Sequence, residues 1–169
     1  MNNILVIHFA RFVSLLLFQV LVLNQVEING LLTPYIYIMA IIMLPLDMPM
    51  WAVLLVAFAS GLTVDIFNNT IGMHAAAAVF IAHIRQYMVA YNAPVGGEEA
   101  VNYPNLSNMK FKWFFTYAAL LTLIYHFAFF TIEIFSLSFV GYIALKTLCS
   151  SALALSLIFI YQYLFEPKY

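Results

Sequence analysis

Apolar residues fill six blocks of the chain, 4–23, 31–46, 50–64, 71–91, 111–134 and 139–165, separated by short polar or proline-bearing breaks. Most of these blocks approach the ~20 residues that carry an α-helix across a bilayer, and each predicts one span. The second and third are short. Pro34 and Pro45 bracket the second, as expected for proline at a first helical turn and just past a helix end. The second block has two readings, a short crossing helix or a re-entrant segment. The third reaches full length only if it continues through Asp65 to about Phe67, which puts Asp65 near a membrane boundary. The breaks at 45–49 and 68–70 are tight, so blocks two, three and four are sequential antiparallel neighbours. The pattern therefore predicts an all-α integral membrane protein, one domain over residues 1–169 with six transmembrane helices.

One long polar connection, 92–110, contains Pro94, Gly96, Gly97, Glu98, Glu99 and Pro104 and reads as a water-exposed loop. Arg85, Lys110 and Lys112 flank it and Lys168 follows the last block, whereas the first, third and fifth connections carry no Lys or Arg. Positive charge is retained on the cytoplasmic side, so both termini and the 92–110 loop are expected to be cytoplasmic. Trp113, Tyr87, Tyr91, Tyr161 and Tyr163 mark the same boundary as an aromatic belt. Composition agrees: 66% of residues are hydrophobic and 8% charged, too few polar groups to cover a globular surface. A net charge of −1 without a basic run argues against nucleic-acid binding. The first thirty residues lack the basic start and small-residue cleavage site of a secretory signal and carry His8 and Arg11, so they are expected to be a retained span. The single cysteine, Cys149, offers no disulfide framework.

Ionisable residues inside such a chain need a reason, because a charge at a span centre costs at least ~2.5 kcal/mol. Asp65, His74, His126, Glu133 and Lys146 all fall in the outer half of the predicted bundle, contributed by four blocks. Two readings follow. They form a buried polar cluster in which Asp65 or Glu133 neutralises Lys146 and the histidines are hydrogen-bond partners; or Asp65 and Glu133 cap helix ends at the interface while Lys146 snorkels to the headgroups. Ala57 and Gly61 lead to Asp65 in four-residue steps, and Gly72 and Ala76 repeat the small-residue pattern on block four. Such rows allow close helix approach and are a candidate docking surface for a partner span. At the inner side, His8, Arg11, Asp47, His83 and Arg85 read as interfacial anchors, with Arg11 available to Asp47 or to lipid phosphate. No HExxH, cysteine pair or glycine-rich phosphate loop is present. His74 and His83 lie on opposite faces of one helix and cannot share a metal. Ser150 near Lys146 is the closest approach to a hydrolase pair and lacks an oxyanion device. No catalytic residue, metal site or cofactor is expected.

The succession Pro34, Leu44-Pro45-Leu46 with Pro49, Gly61-Leu62 with Asp65, then Gly72-Met73-His74-Ala75 resembles the rod shape-determining membrane protein MreD family. Residues 109–135, with an aromatic start, His126 and an acidic end, are similar to the family's fifth span. The resemblance runs over essentially the whole chain, although this chain has fewer Lys and Arg on its cytoplasmic side. It implies a non-enzymatic scaffold of the cell-elongation machinery in the bacterial cytoplasmic membrane. The implied partners are the single-span protein MreC, the actin-like MreB, and the glycosyltransferase RodA with its transpeptidase, acting in lateral peptidoglycan synthesis. The family is also similar in fold to the substrate-binding subunits of energy-coupling vitamin transporters, which makes a small-molecule-binding membrane subunit the alternative.

Overall fold

The computed structural model describes residues 2–25, 30–91, 104, 109 and 111–165, with side chains for all of these except 2–9, 90–91 and 137. The described residues hold six α-helices and no strand: α1 (Asn2–Leu21), α2 (Ile38–Ile42), α3 (Met50–Asn68), α4 (Met73–Tyr91), α5 (Phe111–Ile134) and α6 (Val140–Phe165). Three of them, α3, α5 and α6, are long and apolar enough to cross a membrane. The connection 92–110 lies outside the described residues apart from Pro104 and Met109, as do Lys110 and Lys168.

Block two differs most from a simple helical span. Only five of its residues form α2, and residues 33–36 are non-helical although 34–36 are buried. Thr33 precedes Pro34, which disfavours helix, and Tyr35-Ile36-Tyr37-Ile38 is a run of aromatic and β-branched residues with weak helix propensity. The stretched backbone still traverses the bundle. Gly30 meets Tyr142 near the start of α6, and Met43 meets Gln162 near its end. Those two α6 residues are about 30 Å apart at 1.5 Å per residue, whereas thirteen steps of helix would cover only about 20 Å. Block two is therefore a central pass, surrounded by the long helices, with Tyr37, Ile38, Ile41 and Ile42 almost wholly inaccessible. Non-helical backbone at membrane depth is tolerated only where protein surrounds it, and here protein does.

The contacts give the order of passes. Going from residue 35 to 43, block two runs against α1 from Gln19 toward Arg11, along α4 from His74 toward Arg85, and against α5 from His126 toward Tyr117. Each pass thus reverses its predecessor, and the starts of α1 and α5 and the ends of α4 and α6 lie at one end of the bundle.

Helix α3 starts after Pro49, held extended at φ −61° and ψ 140°, and ends at Asn69 in the left-handed region. It then packs closely against α4. A Cβ on Gly61 would lie 2.5 Å from Ala75 Cα and 2.7 Å from Ala75 N, so only glycine permits this approach.

Candidate functional site

Four residues beyond Gly61, the Asp65 carboxylate reaches the first turn of α4. Its Oδ1 accepts from His74 N at 3.0 Å and from Thr70 Oγ1 at 2.6 Å, and its Oδ2 accepts from Ala75 N at 2.9 Å. Gly72 occupies the position before α4, at φ +75°, and has no side chain with which to cap the helix. Asp65 supplies that cap from the preceding helix, and the positive end of the α4 dipole favours its negative charge. The carboxylate is buried, and it faces the helix start and not Lys146.

His74 is held by a ring of hydrogen bonds whose directions can be assigned. Tyr37 Oη donates to His74 O at 3.4 Å and so accepts, at 2.7 Å, the single proton of Tyr125 Oη. Tyr125 Oη in turn accepts from His74 Nδ1 at 2.8 Å, leaving Nε2 to accept from Asn68 Nδ2 at 3.3 Å. His126 is fixed in the same way. Its Nδ1 meets the Thr122 carbonyl at 2.8 Å, so it donates, and its Nε2 accepts from Tyr35 N at 3.4 Å. Each imidazole then carries one proton, on Nδ1.

Lys146 Nζ lies 3.0 Å from Glu133 Oε2 and 4.6 Å from the centre of the Phe130 ring. This is the only ion pair among the described residues. Of the two partners open to Lys146 in the sequence, the structure pairs it with Glu133. Its side chain is 8% exposed and reaches back to α5 instead of snorkelling outward, while Glu133 is 35% exposed at the rim.

These groups gather around a polar cavity of about 180 Å³ lined by Asn24, Thr33, Asn68, Thr70, His74, Glu133 and Lys146, among others. Asp65 stands one bond behind it, through Thr70. His126 is set apart, on the far side of Tyr35, whose ring stacks on it at 5.7 Å. Within the cavity wall, Asn24 Nδ2 and Thr33 Oγ1 are buried without a hydrogen-bond partner among the described residues. No three His, Cys, Asp or Glu side chains among the described residues come together as a metal site.

The expected docking row is divided by the fold. Ala57 and Gly61 are buried inside the chain, the glycine directly against Ala75, and Asp65 is engaged at the start of α4. Gly72 has open space around it and serves the turn, and Ala76 is exposed, while Ala75, Ala77 and Ala78 face inward. The small residues thus join α3 to α4 and leave no row open to a partner. The outward stripe of α3 is different: Trp51, Leu55, Phe58, Leu62 and Ile66, in three- and four-residue steps, are 39–70% exposed.

The pass 30–45 shows what sequence reasoning missed. Its free backbone groups are met by side chains from every neighbouring long helix except α3. Gln19 Oε1 accepts from Ile36 N at 2.8 Å and Tyr37 N at 3.4 Å, while its Nε2 donates to Pro34 O at 3.3 Å. Ser150 Oγ accepts from Thr33 N and donates to Leu31 O, at 3.1 and 3.0 Å, so the hydroxyl weighed as a nucleophile is fully engaged. Tyr142 donates to Gly30 O and Tyr117 to Ile42 O, both at 2.9 Å. Arg85, expected at the surface as a charge that orients the chain, is turned inward at 5% exposure and donates to the carbonyls of Ile42, Leu44 and Pro45. The Ile42 carbonyl is one that the end of α2 leaves unsatisfied, Leu44 and Pro45 follow that end, and a cation suits the negative end of α2. Arg11 meets Met43 Sδ at 3.8 Å and not Asp47. The signal available in sequence was Thr33-Pro34 and the Tyr-Ile alternation, which together predict backbone in need of external partners.

Compared with known proteins, the chain matches no family model, no curated protein and no solved structure.

Proposed function

We propose that this chain is a non-enzymatic, six-pass scaffold of the bacterial cytoplasmic membrane, similar to MreD of the cell-elongation machinery. In this reading it docks a single-span partner of the MreC type and, with MreB, RodA and its transpeptidase, helps organise lateral peptidoglycan synthesis and cell shape. Both termini and the 92–110 loop face the cytoplasm. The observation that carries the reading is the internal use of the polar side chains: Gln19, Asp65, Arg85, Tyr117, His126, Tyr142 and Ser150 hold the chain's own backbone. Such residues make a rigid body whose outward faces are apolar, which suits a partner helix better than a reacting substrate. The stripe from Trp51 to Ile66 on α3 offers that partner a seam at helical spacing.

The polar cavity favours a second reading, a small-molecule-binding subunit similar to those of energy-coupling transporters. At about 180 Å³ it lies below the roughly 300–1,000 Å³ of most ligand pockets. A photo-reactive amino acid at Leu55 or Leu62, used in native membranes, separates the two. The scaffold reading expects capture of a single-span membrane protein. No capture from α3, together with thermal stabilisation of the purified protein by a small polar molecule, sinks it.

A further inference from the structure

A second concavity lies at the opposite end of the bundle, where α1 and α6 diverge and leave a groove of about 800 Å³ floored by Ile36. Its walls are apolar, formed by Leu15, Leu157 and Ile160 among others, and three polar side chains line it: Arg11, Ser14 and Tyr161. Ser14 Oγ donates to Arg11 O at 2.8 Å, so toward Tyr161 Oη, 3.5 Å away, it is an acceptor. Arg11 is half-buried, its contact is the weak acceptor Met43 Sδ, and no carboxylate among the described residues reaches it. Tyr161 stands four residues before the end of α6, about 6 Å in from that helix end. A guanidinium and the Tyr161 hydroxyl at one mouth of an otherwise hydrocarbon groove match an anion that carries hydrocarbon chains. A guanidinium binds phosphate through two parallel hydrogen bonds, and the apolar walls accept acyl chains.

We propose that this groove binds one anionic phospholipid, its phosphate on Arg11 and Tyr161 and its acyl chains along α1 and α6. A partner helix fits less well, because the cation at the groove's mouth calls for an anionic head above apolar chains, and a membrane span seldom carries a charge at its centre. The inference needs only the membrane location and is independent of the scaffold reading.

Native mass spectrometry of the delipidated full chain tests it, with phosphatidylglycerol and phosphatidylcholine of identical chains as probes. The wild type should retain one phosphatidylglycerol at least fivefold more strongly than phosphatidylcholine. Arg11→Gln should abolish that preference, and Lys112→Gln, which removes an exposed cation at the same end, should leave it intact. Leu157→Trp should fill the groove and lower retention of both lipids while Arg11 remains in place. Glycerol phosphate, lacking acyl chains, should not compete. The proposal fails if Arg11→Gln keeps the preference, if Lys112→Gln abolishes it equally, if Leu157→Trp binds as the wild type does, or if a photo-reactive residue at Ile160 captures a protein helix instead.

Discussion

Replacing Gln19 by Leu isolates the device that supports the central pass. The side chain is inaccessible to solvent, and its amide serves Ile36 N, Tyr37 N, Pro34 O and Asn24 Oδ1. Leucine has similar volume, so packing is nearly conserved, but apart from Asn24 Oδ1 the partners are backbone groups that cannot be deleted with it. The loss is therefore the desolvation cost of groups left unpaired, and not the smaller net worth of a hydrogen bond. Ile36 N–H and Pro34 O each lose their side-chain partner, at about 1–3 kcal/mol apiece, and the long bond from Tyr37 adds little, giving about 2–6 kcal/mol in all. Against a total stability of roughly 5–15 kcal/mol this is a large fraction. Reversible unfolding of the purified protein in mixed micelles measures it. Gln86→Leu, the same substitution at an exposed site, should stay within about 0.5 kcal/mol of wild type. If Gln19→Leu also stays within that range, the backbone of 34–37 is not held as described.

Three further substitutions test other joints by the same unfolding measurement. Gly61→Ala puts a methyl 2.5 Å from Ala75 Cα and should cost about 1–3 kcal/mol by forcing α3 from α4; an unchanged midpoint would show that the two helices do not touch there. Asp65→Ala should cost about 0.5–2 kcal/mol by uncapping α4, and Asp65→Asn, which keeps one acceptor oxygen, should cost less; equal losses would point to charge instead of capping. Glu133→Lys combined with Lys146→Glu should recover part of what each single change loses, whereas reversing Asp65 and Lys146 should recover nothing; the opposite pattern would reassign the partner of Lys146.

Much of this architecture was readable because lipid imposes strong rules. Long apolar blocks had to be helices, and α3, α5 and α6 fall close to the predicted blocks. The extension of block three through Asp65 followed from bilayer thickness, and α3 does end just beyond it, at Asn68. The polar residues were harder, since their depth is visible in sequence and their direction is not. Asp65, His74, Glu133 and Lys146 shared a predicted level, and the fold does collect them about one cavity or one bond from it. His126, at the same level, turns to the Tyr35 amide, because block two passes on its side of the bundle. Arg85 looked like a surface charge from its place beside the 92–110 loop, yet the early end of α2 leaves carbonyls that draw it inward. Both outcomes depend on block two being mostly non-helical. Thr33-Pro34 and the Tyr-Ile run hint at that locally, but the side chains that meet the freed backbone come from distant positions that the local pattern does not identify.

The scaffold reading stands or falls on what the protein holds in its own membrane. Quantitative mass spectrometry of proteins that co-purify with the full chain from native membranes, under mild detergent, tests it most directly. The account predicts a single-span membrane protein at near-equal amount, accompanied by peptidoglycan-synthesis enzymes. Recovery of nucleotide-hydrolysing transport subunits in its place would contradict it.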